Sequence, residues 1–279
     1  MRTSTWNNSV WIITCSMLWL FTACSRSGDA IYPEDGGLGF YNASQVLRED
    51  VQGNNKPALI LLNSNTPIDT TDGMQQPDFR PAFNGSEVQQ FFPRKVINVT
   101  SPPWMGYIRM YPGILQVAFL DTDSSLVLQT DVEVAAGKYS CLYLSDSLDT
   151  YYVTNVEDNS APAPQTVQLQ VLQLSPDAGT LLVKVNDQPL PQELGYRSRS
   201  GFQTYPVPDD VTAFPLRIQV SRVETPDDII SRTTINAMPG HSYTLIINGY
   251  YSPAAYVDKH TGEQVDILPD FRLSVMRNQ

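Results

Sequence analysis

Basic side chains are in short supply. Eighteen Lys and Arg stand against 29 Asp and Glu, a net charge of −11. A chain this acidic repels phosphate backbones and anionic headgroups, so nucleic acid is not an expected partner. Cysteine is scarcer: Cys15 lies inside an apolar leader and Cys24 at its end, which leaves Cys141 alone and gives no intramolecular disulfide framework. Cys141 sits in the alternating run Tyr139-Ser140-Cys141-Leu142-Tyr143-Leu144 and reads as a small buried hydrophobe. Histidine is limited to His241 and His260. Neither has the neighbours of a hydrolytic triad, and two distant His with one thiol do not match zinc-ligand spacing. Asp35-Gly36-Gly37-Leu38-Gly39 lacks the Lys and the helix of a phosphate loop. The acid pairs Asp121 and Asp123, Asp209 and Asp210, and Asp227 and Asp228 read as turn residues, short of a calcium loop. No metal, cofactor or enzyme activity is expected. Long apolar runs are also missing, save Val10 to Ala23; its 14 residues fall short of the roughly 20 that span a bilayer.

That one run is informative. Arg2 is the only charge before it, and it ends in Leu20-Phe21-Thr22-Ala23-Cys24. A positive start, a short apolar stretch and small residues before a cut site describe a secretory signal. With Cys24 next, it resembles a bacterial lipoprotein signal, although Phe21 stands where the commonest motif has Leu. The resemblance implies cleavage after Ala23, lipid on the Cys24 thiol and a chain held to a membrane by acyl groups, which several together do firmly. Ser25 follows Cys24 and does not resemble the Asp that retains some lipoproteins at the inner membrane. The expected location is therefore the cell envelope, lipid-anchored, at the outer membrane of a Gram-negative bacterium.

The rest of the chain is patterned with period 2. Leu216, Ile218 and Val220 alternate with polar residues, as do Val167, Leu169 and Val171, and Leu128, Thr130, Val132 and Val134. Turn residues divide these runs, as at Ala136-Gly137 and Pro239-Gly240. Many half-buried strands without helical periodicity predict an all-β chain.

The chain also repeats itself. Gly106-Tyr107 with Tyr111-Pro112 matches Gly201-Phe202 with Tyr205-Pro206, and Leu115–Phe119 matches Leu216–Val220. Gly137 and Gly240, like Leu142 and Leu245, are 103 positions apart. More weakly, Leu61-Leu62-Asn63-Ser64 parallels Lys184-Val185-Asn186-Asp187, and Asn42-Ala43-Ser44 parallels Gln173-Leu174-Ser175. The predicted fold is two tandem Ig-like or transthyretin-like antiparallel β-sandwich modules after a cleaved lipoprotein signal. The expected organisation is a signal over 1–23, a tether over 24–37 and a first module over 38–157 carrying an inserted loop at 69–103. A polar, Pro-rich linker at 158–165, extended and fairly stiff, leads to a second module at 166–251. Residues 252–279, without counterpart in the first copy, are a further hairpin or a tail that completes the second sheet. Gly137 and Gly240 are expected at turns needing positive φ, and Tyr139 and Tyr243 just after them as corner tyrosines bonded to backbone.

Leu174-Ser175-Pro176-Asp177-Ala178, Val183-Lys184-Val185-Asn186-Asp187 and Pro239-Gly240-His241-Ser242-Tyr243-Thr244-Leu245 resemble the bacterial envelope family labelled domain of unknown function 4397. Its members often occur as tandem β-sandwiches behind lipoprotein signals, notably in Bacteroidetes. The resemblance covers about residues 38–251 and is clearest in the second copy; the first lacks the Pro-Asp after Asn42-Ala43-Ser44-Gln45. It implies fold and location, and no reaction.

Aromatics are the remaining lead. Trp104, Phe91 and Phe92 lie in or beside the inserted loop, and Tyr151 and Tyr250 end strands in the two copies. Exposed aromatics stack on sugar rings or peptide, so these five are candidate binding residues, with Cys24 the lipid site. The expected function is non-catalytic binding or display at the bacterial surface, with a glycan, a protein or an adhesion partner as ligand. A structural spacer of an outer-membrane complex, or a carboxylate-based hydrolase, is the alternative.

Overall fold

The computed structural model describes residues 36–47, 59–62, 105, 107–110, 112–120, 125–258 and 262–278. The described residues outside the turns are almost all strand. The first repeat holds β1 (Gly36–Asn42), β2 (Leu59–Leu62), β3 (Tyr107–Met110), β4 (Gly113–Leu120), β5 (Leu126–Val134), β6 (Tyr139–Ser147) and β7 (Thr150–Asp158). The second holds β8 (Thr166–Gln173), β9 (Leu181–Val185), β10 (Gln188–Pro189), β11 (Gln203–Pro206), β12 (Phe214–Arg222), β13 (Ile229–Ala237), β14 (His241–Asn248), β15 (Ala254–Val257), β16 (Gln264–Ile267) and β17 (Arg272–Arg277).

Each repeat is a two-sheet sandwich of the same topology. In the first, β3-β1-β6-β7 faces β2-β4-β5; in the second, β11-β8-β14-β17 faces β10-β9-β12-β13. The alternating apolar residues read from the sequence form the two cores. Leu38, Phe40, Ile60, Val117, Phe119, Leu142 and Leu144 fill the first, and Val167, Leu169, Val171, Val183, Ile218, Leu245 and Ile247 are among those filling the second. One pair in each repeat departs from the antiparallel expectation: β1 runs parallel to β6, and β8 to β14. The physical reason is connection length, since a long excursion separates the two strands and lets the later one enter in the same direction.

The repeat holds at the level of register. Asn42 lies opposite Leu144 and Gln173 opposite Ile247; Leu115 lies opposite Val132 and Leu216 opposite Ile235. Even the β-bulge recurs, between Phe119 and Leu120 and between Val220 and Ser221. One anchor slips by a residue: Met110, and not Tyr111, occupies the place that Tyr205 takes in the second repeat. Gly137 and Gly240 sit at φ 66° and 76°, the left-handed region expected at these turns.

In the structure the second sandwich extends past residue 251, and the linker lies against it. Strand β17 pairs with β14 as β7 pairs with β6, with Leu273 opposite Ile247 where Val153 lies opposite Leu144. The second sandwich therefore runs on to Arg277, and β17 is the counterpart of β7. Residues 252–279 supply both the extra hairpin β15–β16 and the closing strand, because the hairpin is inserted ahead of the repeat's last strand. The linker at 158–165 is held by hydrogen bonds. Ser160 Oγ donates to Asp158 Oδ1 at 2.7 Å, Ser242 Oγ to Ser160 Oγ at 2.8 Å, and the Ala161 N–H to Gln168 Oε1 at 2.9 Å. The Ser160 hydroxyl and the Ala161 N–H lay it against the second sandwich.

A third cluster joins the sandwiches. Tyr41, Ala43, Met105, Cys141, Tyr143 and Val156 of the first repeat pack with Leu172, Leu174, Ile246 and Met276 of the second. These come from the faces of β3-β1-β6-β7 and β11-β8-β14-β17 that point away from their own cores. Four sheets are thus stacked in one block with three apolar seams. Each fully buried Leu, Ile or Tyr in the middle seam stabilises by roughly 1.5–3 kcal/mol relative to exposure, so separating the sandwiches is costly.

Candidate functional site

The sequence-predicted site residues divide sharply. Cys24, Phe91, Phe92 and Trp104 lie outside the described residues, as does all of the inserted loop 69–103. Tyr151 on β7 is half-buried and packs on the first core. Tyr250 is corrected outright: it is 3 % exposed, and its hydroxyl donates to Asp146 Oδ2 at 2.6 Å. It is a brace between the repeats and cannot stack on a ligand, because the segment after β14 folds back onto the first sandwich.

Asp146 is the centre of that brace. Besides Tyr250, its carboxylate accepts the Gln45 N–H at 2.8 Å and is bonded by Ser44 and the Val46 N–H. Gln45 then reaches into the second repeat, accepting the Tyr250 N–H at 3.0 Å and donating to the Leu268 carbonyl at 2.7 Å. Tyr196 adds a donation to the Asp146 carbonyl at 3.1 Å. Burial raises the Asp146 carboxyl above its ordinary 3.8, and the bonds from Ser44, Tyr250, Gln45 and Val46 pull it part of the way back.

The second repeat solves the same problem from the other strand. Asp177, of the Leu174–Ala178 motif, accepts the Tyr251 N–H at 2.7 Å and the Ser252 N–H at 2.8 Å. A carboxylate after β8 thus ties the segment after β14. In the first repeat that Asp is missing, and Asp146, at the end of the sixth strand, ties the segment after the first. Its counterpart Gly249 has no side chain, which lets the Asp270 carbonyl come within 2.0 Å of where a Cβ would stand.

The buried thiol belongs to the seam as well. Cys141 Sγ donates to Met105 Sδ at 3.5 Å, and burial pushes the thiol far up, so it stays neutral and non-nucleophilic. Tyr143 bonds Thr244 across the seam, and Tyr107 donates to Asp158 Oδ2 at 2.9 Å; burial raises both phenols.

One place is open. In the second repeat Tyr243 is fully buried, and its hydroxyl accepts the Met238 N–H at 2.8 Å. This is the corner tyrosine expected from the sequence. Tyr139 is not its counterpart. In register, Tyr243 lies opposite Leu169 as Ser140 lies opposite Leu38, so the first repeat's corner position is Ser140. Tyr139 points the other way and meets Tyr107 edge-on, ring centroids 5.3 Å apart.

Two further positions change with it. Val275 and Arg277 of β17 flank Tyr243, and Arg277 Nη1 lies 3.4 Å from Met238 Sδ. Their counterparts on β7 are Asn155 and Glu157. Where the second repeat has Tyr, Val and Arg, the first has Ser, Asn and Glu. The result is a cleft of about 260 Å³ lined by Glu133, Val134, Ala135, Lys138, Ser140, Asn155 and Glu157. Lys138 Nζ pairs with Glu157 Oε1 at 2.9 Å on its rim. Sequence reasoning missed this site because it matched tyrosine to tyrosine; counting along the paired strand from Leu142 and Leu245 would have found Ser140.

The cleft lies inside the part of the chain that compares with known proteins. Residues 93–184 match the family described as Domain of unknown function (DUF4397). No curated protein matches the chain. The DUF4397-like segment crosses the junction between the repeats, running from ahead of β3 into β9. It therefore holds one copy of each strand type in permuted order, the first repeat's third to seventh strands followed by the second's first two.

Proposed function

We propose that the chain is a non-catalytic binding or display lipoprotein of the bacterial cell envelope, held by lipid on Cys24, whose binding site is the open corner of the first sandwich. The observation that carries this reading is the joint replacement of Tyr243, Val275 and Arg277 by Ser140, Asn155 and Glu157 in otherwise superposable registers. Opening a packed core corner costs stability, and a purely structural spacer has no use for that loss in one repeat only. The fused block supports the same reading, since a site on a stiff body keeps its geometry.

Glu157 lines the cleft and Glu133 stands on its β5 side, facing outward with Ile114, which brings the hydrolase alternative into view. Both stand in water, and Glu157 is paired with Lys138. A general acid for glycoside cleavage requires apolar surroundings instead. We read the Glu157 carboxylate as a hydrogen-bond acceptor.

The tether is tested by growing cells with radioactive palmitate. The wild-type chain is expected to take up label and fractionate with membranes, and Cys24→Ala to do neither. Absence of label on the wild type, or equal label on the variant, would overturn the lipoprotein half of the reading.

A further inference from the structure

We infer that the open corner takes a single polyhydroxylated ring, the terminal sugar of a glycan. The inference rests on the reading of that corner as the binding site and adds the chemical class of its ligand.

Size comes first. About 260 Å³ is below the roughly 300–1,000 Å³ of pockets for drug-sized molecules, and suits one six-membered ring with its substituents. The second repeat shows that a six-membered ring seats at this place in the fold, since the Tyr243 side chain is buried there.

The lining decides what kind of ring. Ser140 offers a hydroxyl, Asn155 an amide and Glu157 a carboxylate, and Lys138 donates. Such a mixture serves groups that donate and accept at once, as sugar hydroxyls do. A phenol would satisfy one of these groups and strip water from the others. An anion would meet the Glu157 carboxylate, which already holds the one ammonium, that of Lys138. With Lys138 and Glu157 paired, a neutral polar ring fits the charge that remains.

Access completes the picture. Five of the seven lining residues are exposed, so the ring enters from solvent while a chain attached to it trails in water. A terminal residue of a longer glycan therefore fits as well as a free monosaccharide.

The test is a titration of the full isotope-labelled chain in detergent, followed by amide NMR. The probes are the methyl glycosides of glucose, galactose, mannose and N-acetylglucosamine, with p-cresol as the aromatic comparison. At least one glycoside is expected to give saturable shifts confined to residues 133–140 and 155–157. Ser140→Tyr and, independently, Asn155→Val, each restoring the second repeat's residue, are expected to weaken that binding at least tenfold. Saturable binding of p-cresol without any glycoside would overturn the sugar class and leave the open-corner reading standing. Failure of all probes, or glycoside shifts unaffected by both variants, would overturn both.

Discussion

Asp146→Ala is expected to destabilise the fold by about 3–5 kcal/mol. The substitution removes an acceptor from the Tyr250 hydroxyl and the Gln45 N–H, both buried, and from the groups of Ser44 and Val46. A buried donor left without a partner costs about 1–3 kcal/mol, and donors that served a charge cost more. Chemical denaturation measures the loss. Tyr250→Phe alone should cost about 1.5–3 kcal/mol, and the double variant less than the two together, since the residues are in direct contact.

The same residue carries a signature in pH. Its folded carboxyl titrates above the unfolded 3.8, so the folded chain holds this proton more tightly than the unfolded one. The stability it contributes is fully present below pH 3.8 and is lost as pH rises through the folded value. The stability of the wild type relative to Asp146→Ala is therefore expected to increase on acidification toward pH 3.8. A difference that shrinks on acidification would mean that the bonds outweigh burial.

The second large effect is in the seam. Ile246 on β14 is fully buried between the two sandwiches. Ile246→Asp would place a carboxylate among Tyr41, Tyr143 and Leu172 without a partner of opposite charge. The expected cost is about 4–5 kcal/mol, of the order seen when a buried charge is left uncompensated. Ile114→Asp is the control. Ile114 is 78 % exposed on β4, and its substitution should move stability by no more than about 0.5 kcal/mol.

Much of this architecture was readable from the residues, at some positions more than others. The offsets of 103 between Gly137 and Gly240, and of 131 between Asn42 and Gln173, reappear in the strand registers because period-2 patterning fixes which face each residue takes. The seam was less legible, since one sequence shows which strands are apolar and not what covers them. A signal was present nonetheless. Cys141-Leu142-Tyr143-Leu144 and Leu245-Ile246-Ile247 are continuous apolar runs, the mark of strands buried on both faces. The Asp146 brace was hidden for a different reason. Its carboxylate does the work of Asp177 from another strand, so aligning the repeats shows only a loss at Val46. Tyr250 looked like an exposed strand end because nothing local reveals that Asp146, 104 positions away, receives its hydroxyl.

The first sandwich holds a vacated tyrosine corner, framed as the second frames Tyr243. Ser140→Tyr tests it most directly, by hydrogen exchange and denaturation on a single variant. If the corner is vacated, the new ring enters it and its hydroxyl accepts the Ala135 N–H, as Tyr243 accepts that of Met238. The Ala135 amide should become protected, and unfolding should cost about 1–2 kcal/mol more than in the wild type. An unprotected Ala135 amide with stability unchanged or lowered would contradict the claim.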